Sequence, residues 1–338
     1  MKKNVRKTRS TVSSQRITDT VYAFREARVL LTAFELDIFT VIGDEPKSSE
    51  EIARRAGTNP RATDRLLNAL CASGYLRKKP GLFSNALLAS RFLVRGKPEY
   101  LGGLMHQVHL WDTWSTLSEA VRSGTRALER GPSSERGTNW LEAFIAAMHM
   151  RAMHQAPAIV KLIDLKNVSR VLDVGGGSGA FSFAFVRAKK GLSATVFDLT
   201  GVVRLTQGYI EAESLGNSIS VAAGDYTVDG LGKGFDLVFM SAIIHSNSAR
   251  TNRELFGKAF EALNPGGRLV VSDFIMNEDR TSPAMGAYFS LNMLVGTAEG
   301  DTYTESEVRG WMEEAGFKKV SRTKTEMGAD LLTGTKSF

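Results

Sequence analysis

The sequence predicts an α/β chain in two parts, an N-terminal all-α winged-helix unit followed by an open, mostly parallel sheet with helices on both faces. Three observations predict it. From Arg170 onward, short apolar runs alternate with helical patterns, and that alternation implies a parallel sheet built from crossover units. The first of these runs, Val171–Val174, feeds directly into Gly175-Gly-Gly-Ser-Gly179 and then a helical stretch through Phe181, Phe185 and Val186. Upstream, two helix-start signals precede an apolar pair on each side of a turn, and helix, helix, hairpin is the order of a winged helix-turn-helix.

In chain order, residues 20–42 are apolar at helical spacing through Val21, Phe24, Leu31, Phe34 and Ile38. Ser48 and Glu51 stand at the spacing of a capping box before Ile52 and Ala53. Asn59 followed by Pro60 reads as an N-cap with a first-turn proline, opening a helix through Leu66, Leu67 and Leu70 that stops near Gly74. Tyr75, Leu76, Leu82 and Phe83 flank the turn at Lys79-Pro80-Gly81, as in a small hairpin. Residues 100–160 are helical in pattern, with a loop at Gly131-Pro132-Ser133. The strands expected after them are Val171–Val174, Ala194–Phe197, Ile219–Ala222, Leu237–Met240 and Arg268–Val271. Two late ones, Lys318–Arg322 and Leu331–Thr335, follow, and the last is able to return antiparallel. The division expected is a basic disordered tail over 1–16, a winged-helix domain over 17–100, a helical segment over 101–165 and the sheet domain over 166–338.

Bulk properties narrow the function classes. A chain of 338 residues, 43% hydrophobic and 23% charged, is an ordinary globular composition large enough for about two cores. The net charge of +7 is local, because Lys2, Lys3, Arg6, Lys7, Arg9 and Arg16 supply six positive charges before any acid. No apolar run follows that basic start, and no stretch reaches the ~18 apolar residues of a membrane span. The single cysteine, Cys71, excludes an internal disulfide and a multi-cysteine metal site. A cytoplasmic chain without a membrane partner or a metal is expected.

The glycine loop permits a tight turn and close approach of backbone to a ligand, and the helix start behind it favours negative charge. Gly175, Gly177 and Ala180 satisfy even the dinucleotide spacing, so the loop alone does not choose a cofactor. Acids at successive strand ends do. Asp173 lies two residues before Gly175, where a carboxylate would approach a pyrophosphate but would welcome an ammonium group. Asp198 ends the second strand, where it suits a ribose diol, and Gly224-Asp225-Tyr226 ends the third, where an acid can accept from an adenine amino group. These features favour S-adenosyl-L-methionine, with S-adenosyl-L-homocysteine as product, over a nicotinamide. The candidate cofactor-binding residues are Asp173, Gly175, Gly177, Asp198, Leu199, Asp225, Tyr226 and Ser241.

With Asp173-Val-Gly-Gly-Gly-Ser-Gly179, Asp198, Gly224-Asp225, the His245 region and Asn264-Pro-Gly-Gly267 in place, the chain resembles the O-methyltransferases that methylate plant phenolics, acetylserotonin and bacterial polyketides. The resemblance spans roughly residues 20–337. It implies a Rossmann-like methyltransferase fold, a winged-helix first half that forms the dimer, and His245 as the general base that deprotonates an acceptor hydroxyl. The chemistry agrees, since a phenolate is a better nucleophile than a phenol and a histidine of pKa ~6.5 takes that proton at neutral pH. Plant members carry an acid and a tryptophan after the histidine, where this chain has Ser246 and Asn247, and they orient the histidine with two glutamates. Asp273 falls at the first of these and Thr302, without a charge, at the second. Phe144, Met148 and Arg151 fall where the family lines its acceptor pocket. Phe289, Asn292 and Met293, with Met285, repeat at helical spacing and can close it from the sheet domain.

Expected partners are therefore a small aromatic or polyketide-like acceptor and a second copy of the chain. Nucleic acid is not expected, because the helix Pro60–Ser73 carries Asp64 beside Arg61 and Arg65 and is largely apolar. Three alternatives stay open: a winged-helix DNA-binding regulator, a nicotinamide oxidoreductase, and a family member using the same cofactor for other chemistry.

Overall fold

In the computed structural model, residues 13–128 and 138–337 are described, so the basic tail up to residue 12 and the loop expected at Gly131-Pro132-Ser133 lie outside the described residues. The chain divides into two compact units that meet between Val108 and His109, inside one helix.

In the first unit, the long amphipathic stretch forms α1 (Gln15–Glu35) and α2 (Ile38–Ile42), so the helix starts inside the expected tail and breaks once. The break is Asp37, which takes a left-handed φ of 55°. Ala33 and Phe34 just before it and Ile38 and Phe39 just after it are buried, whereas Ile17, Val21, Tyr22 and Phe24 nearer the start of α1 are more than half exposed. Ser48 caps α3 (Ser49–Ala56) by accepting the Glu51 N–H, while the Glu51 carboxylate pairs with Arg55. Asn59 caps α4 (Pro60–Ala72) by accepting the Ala62 N–H. The antiparallel hairpin of β1 (Leu76–Lys79) and β2 (Leu82–Asn85) follows, then α5 (Leu87–Phe92). Ile52, Leu67, Leu70, Leu76 and Phe83 meet in one core, which is why each helix keeps one apolar face.

α6 (Leu104–Ser115) leads into the second unit, followed by α7 (Leu117–Ser123) and α8 (Thr138–Lys161). The sheet then begins with β3 (Arg170–Val174), α9 (Ala180–Ala188), β4 (Ser193–Asp198), α10 (Thr200–Ala212) and β5 (Ile219–Ala223). It continues with β6 (Phe235–Ser241), α11 (Ala249–Ala262) and β7 (Leu263–Asp273). After a short parallel pair, β8 (Ile275–Met276) with β9 (Tyr303–Thr304), and the intervening α12 (Ala284–Gly296), come α13 (Glu305–Glu314), β10 (Lys318–Thr323) and β11 (Asp330–Thr335).

The order across the seven-stranded sheet is β10-β11-β7-β6-β3-β4-β5. β3 to β7 run parallel, and β11 returns antiparallel between β7 and β10. The sequence direction reverses between β3 and β6, and in open α/β sheets ligands bind outside the carboxyl ends of strands at such a point. The central strands are near-continuous apolar runs because helices cover both faces: Val171, Leu172, Leu237, Val238, Phe239 and Met240 are all buried. β7 starts at Leu263, so Asn264-Pro-Gly-Gly267 lies within the strand rather than ahead of it.

Candidate active site

The strand ends gather the candidate residues by chain geometry alone. Asp173 sits in β3 and Asp198 ends β4, Asp225 follows β5, Ser241 ends β6 and Asp273 ends β7. All five therefore stand at the carboxyl edge of parallel strands.

The glycine loop after β3 is positioned by backbone and by acids. Gly175, Gly177 and Gly179 take φ of 64°, 57° and 83°, a region in which side chains with a Cβ are strained. The Gly177 N–H donates to Asp198 Oδ2 at 2.9 Å, and the Leu199 N–H donates to Oδ1 at 2.8 Å. Asp198 thus holds the loop as well as facing the edge. Burial raises its carboxyl, and those two backbone N–H groups pull it down. The Thr206 hydroxyl fixes the other side of the loop, donating to Gly177 O at 2.6 Å. Asp173 is buried and accepts one hydrogen bond from a side chain, from the Ser182 hydroxyl at 2.8 Å. Burial pushes its carboxyl up to about 7, against the Ser182 hydrogen bond and with help from the Asp198 charge.

This set fits a ligand carrying a cation. A buried carboxylate with one hydroxyl partner is a site where an ammonium group would restore the charged form. A Cβ placed on Gly177 would meet only Ile145 Cδ1, at 3.9 Å, so the loop has room on that side. At the third strand the picture is divided. Asp225 Oδ1 accepts from the Thr227 N–H and hydroxyl at 2.8 and 2.6 Å, which closes its own turn. The Tyr226 hydroxyl points inward and donates to Asn247 Oδ1 at 3.0 Å.

His245 lies on a single 3-10 turn, Ile244–Ser246, directly after β6, and is 8% exposed. Its Nδ1 lies 2.8 and 3.0 Å from the two oxygens of Asp273. Asp273 is itself buried, and its Oδ1 also accepts the Phe274 N–H at 2.8 Å. The Phe289 ring stands edge-on to the imidazole with centroids 4.7 Å apart and leans on Phe274 at 4.8 Å. The turn touches the glycine loop through Ile243, because a Cβ on Gly175 would lie 2.2 Å from Ile243 Cδ1.

Arg151 is exposed, and its guanidinium lies 5.6 Å above the Phe274 ring. Phe144 and Met148 on the same helix are half-buried, with Phe144 stacked on Trp140 at 5.3 Å. On α12, Met285 is exposed and Met293 is buried, while Asn292 Oδ1 accepts the Trp114 indole N–H at 2.9 Å. The structure thus brings His245, Asp273, Phe274, Phe289 and Arg151 into one group.

Thr302, expected at the place of the second orienting acid, is buried. Its hydroxyl donates to Gly286 O at 3.4 Å. The group against His245 from that segment is Gly300, where a Cβ would lie 2.4 Å from His245 O. Sequence reading missed Gly300, Asn252 and Tyr303, which all pack on the turn, and His149, whose Nδ1 lies 2.8 Å from Ser178 Oγ in the glycine loop. The signal for His149 was its place on α8 four residues from Ile145, the side chain that faces Gly177.

Residues 114–318 match the O-methyltransferase domain family, and residues 18–95 match the O-methyltransferase dimerisation domain. The chain is 32% identical to the 3-hydroxy-5-methyl-1-naphthoate 3-O-methyltransferase of Streptomyces sahachiroi, over 90% of this chain and 89% of that protein. It is 32% identical to the tetracenomycin polyketide synthesis 8-O-methyl transferase TcmO of Streptomyces glaucescens, over 92% of this chain and 93% of that protein. Among solved structures it resembles PigF with SAH, with a TM-score of 0.87, 26% identity, and coverage of 96% of this chain and 100% of that one. The chain belongs to the O-methyltransferase family and is an S-adenosyl-L-methionine-dependent O-methyltransferase.

Proposed function

We propose that this chain methylates a phenolic hydroxyl of a small aromatic or polyketide-like acceptor, with His245 as general base oriented by Asp273. The observation that carries the reading is the His245–Asp273 contact at 2.8 Å, on the turn whose Ile243 packs against Gly175 of the cofactor loop. The two Streptomyces relatives, named for a naphthoate and a polyketide, support the acceptor class.

Asp173 would hold the donor's ammonium group, the Gly175–Gly177 backbone its methionine end, and Asp198 with Leu199 the ribose. Asp225, Tyr226 and Ser241 would border the base. When bound, S-adenosyl-L-methionine supplies an electrophilic methyl group on a sulfonium. Asp273, against Nδ1, fixes the imidazole so that Nε2 is the acceptor-facing nitrogen and stabilises the imidazolium that forms. Nε2 takes the phenol proton. Phe289 and Phe274 would grip a flat ring and exclude water, with Phe144, Met148, Asn292 and Met293 shaping the rest. Arg151 gives the mouth a positive charge.

The test is calorimetry with S-adenosyl-L-homocysteine in two buffers of different ionisation enthalpy, paired with methyl transfer to hydroxynaphthoates. The Asp173 carboxyl, near 7 in the free protein, holds a proton at pH 6 that an ammonium neighbour would expel. Binding of S-adenosyl-L-homocysteine should therefore release a proton at pH 6, release much less at pH 8, and tighten as pH rises between them. Asp173→Asn should abolish the release. Binding with no proton change at pH 6, or stabilisation by NAD in its place, would overturn the donor-site assignment.

The dimerisation-domain match supports a homodimer, and the exposed Val21 and Phe24 on α1 are apolar surface for a partner copy to cover. Light scattering should give a dimer at micromolar concentration. Val21→Glu with Phe24→Glu should shift it to monomer, and a monomeric wild type would contradict the proposal.

A further inference from the structure

The turn that carries His245 is anchored by a buried polar network outside the base pair itself. Asn247 is 7% exposed and Asn252 is fully buried. Asn247 Oδ1 accepts the Tyr226 hydroxyl at 3.0 Å, and its Nδ2 donates to Asn252 Oδ1 at 3.1 Å. Asn252 Nδ2 in turn donates to Ile244 O at 2.9 Å, the residue before His245. The Tyr303 hydroxyl donates to the backbone carbonyl of Asn247. Both ends of the Ile244–Ser246 turn are therefore tied, one through each asparagine.

Two further features show a turn held against its own preference. Ala242, just before it, takes a left-handed φ of 57°, which residues with a Cβ rarely adopt without tertiary support. Gly300 lies so close to His245 O that only glycine fits without movement. The donors in the network are permanent. Burial pushes the Tyr226 hydroxyl up to about 12, against the Asn247 contact, and raises Tyr303 as well. Neither loses its proton in the working range.

We propose that Asn247, relayed through Asn252, is a positioning residue for methyl transfer: it ties the turn carrying His245 to Tyr226 at the strand edge where the nucleotide half of the donor lies. Tyr226 then acts on His245 through two amides and one peptide carbonyl, without touching it. The proposal rests on reading His245 as the base and Tyr226 as a neighbour of the donor. It gives the replacement of the plant family's tryptophan by Asn247 a defined role.

The experiment uses the full-length enzyme with a hydroxynaphthoate acceptor at saturating S-adenosyl-L-methionine. Wild type is compared with Tyr226→Phe, Asn247→Ala, Asn252→Ala and the double alanine variant, with His245→Ala in parallel. An ångström of misplacement in an active site costs up to about 10²-fold, so kcat should fall about tenfold or more in each asparagine variant and severalfold in Tyr226→Phe. The affinity of Asn252→Ala for S-adenosyl-L-homocysteine should stay within about twofold of wild type, because Asn252 acts on the turn. The double variant should be no slower than the worse single one. A lowered melting temperature with an unchanged kcat would make the network merely structural and overturn the proposal. Should the alanine variants not fold, Tyr226→Phe, which deletes one oxygen, decides the matter by the same two readouts. Loss of activity in His245→Ala alone, with the network variants at wild-type kcat, defeats this proposal only. Full activity in His245→Ala defeats the base assignment and this proposal together.

Discussion

Replacing His245 by alanine is expected to lower kcat for an ordinary phenol by about 10²–10⁴-fold, the usual cost of removing a general base, while S-adenosyl-L-homocysteine binds almost as before. The separation follows from where the side chain sits. Its ring is engaged by Asp273 and Phe289, and it makes no hydrogen bond to the glycine loop among the described residues. The backbone turn, which does reach the loop through Ile243, is kept by the Asn252 and Tyr303 ties. Asp273→Asn should be milder. An amide can still accept from Nδ1–H, but it no longer offers a negative charge to the imidazolium, and one buried carboxylate stands opposite this ring. Steady-state kinetics for the rate and calorimetry for the affinity check both halves of the prediction.

The second large effect is expected at Gly175. A valine there faces two penalties. The φ of 64° is left-handed, which costs a β-branched residue about 1–2 kcal/mol, and its Cβ would fall 2.2 Å from Ile243 Cδ1. Overpacking of that kind typically costs about 1–3 kcal/mol more. Relief requires the glycine loop to shift or Ile243 to move, and Ile243 is two residues from His245. Gly175→Val should therefore weaken S-adenosyl-L-homocysteine binding by about 10²-fold or more and depress kcat as well. Gly216→Ala is the fitting control, since nothing lies within 4 Å of its added Cβ and its φ is ordinary. Wild-type affinity in Gly175→Val would show that the loop does not bear on the donor.

The parts of this molecule that could be read from sequence are those written in local chemistry. The N-caps at Ser48 and Asn59, the hairpin at Lys79-Pro80-Gly81 and the strand that runs into Gly175–Gly179 each depend on a few adjacent residues. The alternation of strand and helix after Arg170 gave the parallel sheet, and with it the edge on which Asp173, Asp198 and Asp273 stand. The departures have equally specific causes. β7 begins five residues earlier than expected, because Gly266 and Gly267 pair with Lys336 through backbone hydrogen bonds that no local pattern encodes. The kink at Asp37 interrupts what reads as one amphipathic helix, since burial of Ile38 and Phe39 outweighs the continuing helical period.

The surroundings of His245 were the least legible. Ser246, Asn247 and Thr302 differ from the plant pattern, and by residue type alone they look like a weakened site. In three dimensions Asn247 is a buried junction of four segments, touching Tyr226, Asn252 and Tyr303 from its own turn. Thr302 instead packs on Gly286, and its carbonyl accepts from Arg280 at 2.9 Å. Residues separated by 21 and 56 positions form these contacts, and spacing in one sequence carries no trace of such pairing.

The central claim is that His245 removes the acceptor proton, and it is tested most directly by the rate of methyl transfer across phenols of graded acidity. Wild type and His245→Ala are compared at one pH with saturating donor. The account predicts a gap of about 10²–10⁴-fold for weakly acidic phenols that closes as the acceptor pKa falls below the assay pH, because such acceptors arrive already ionised. Equal rates for the two enzymes on weakly acidic phenols would contradict it, leaving positioning alone to drive the transfer.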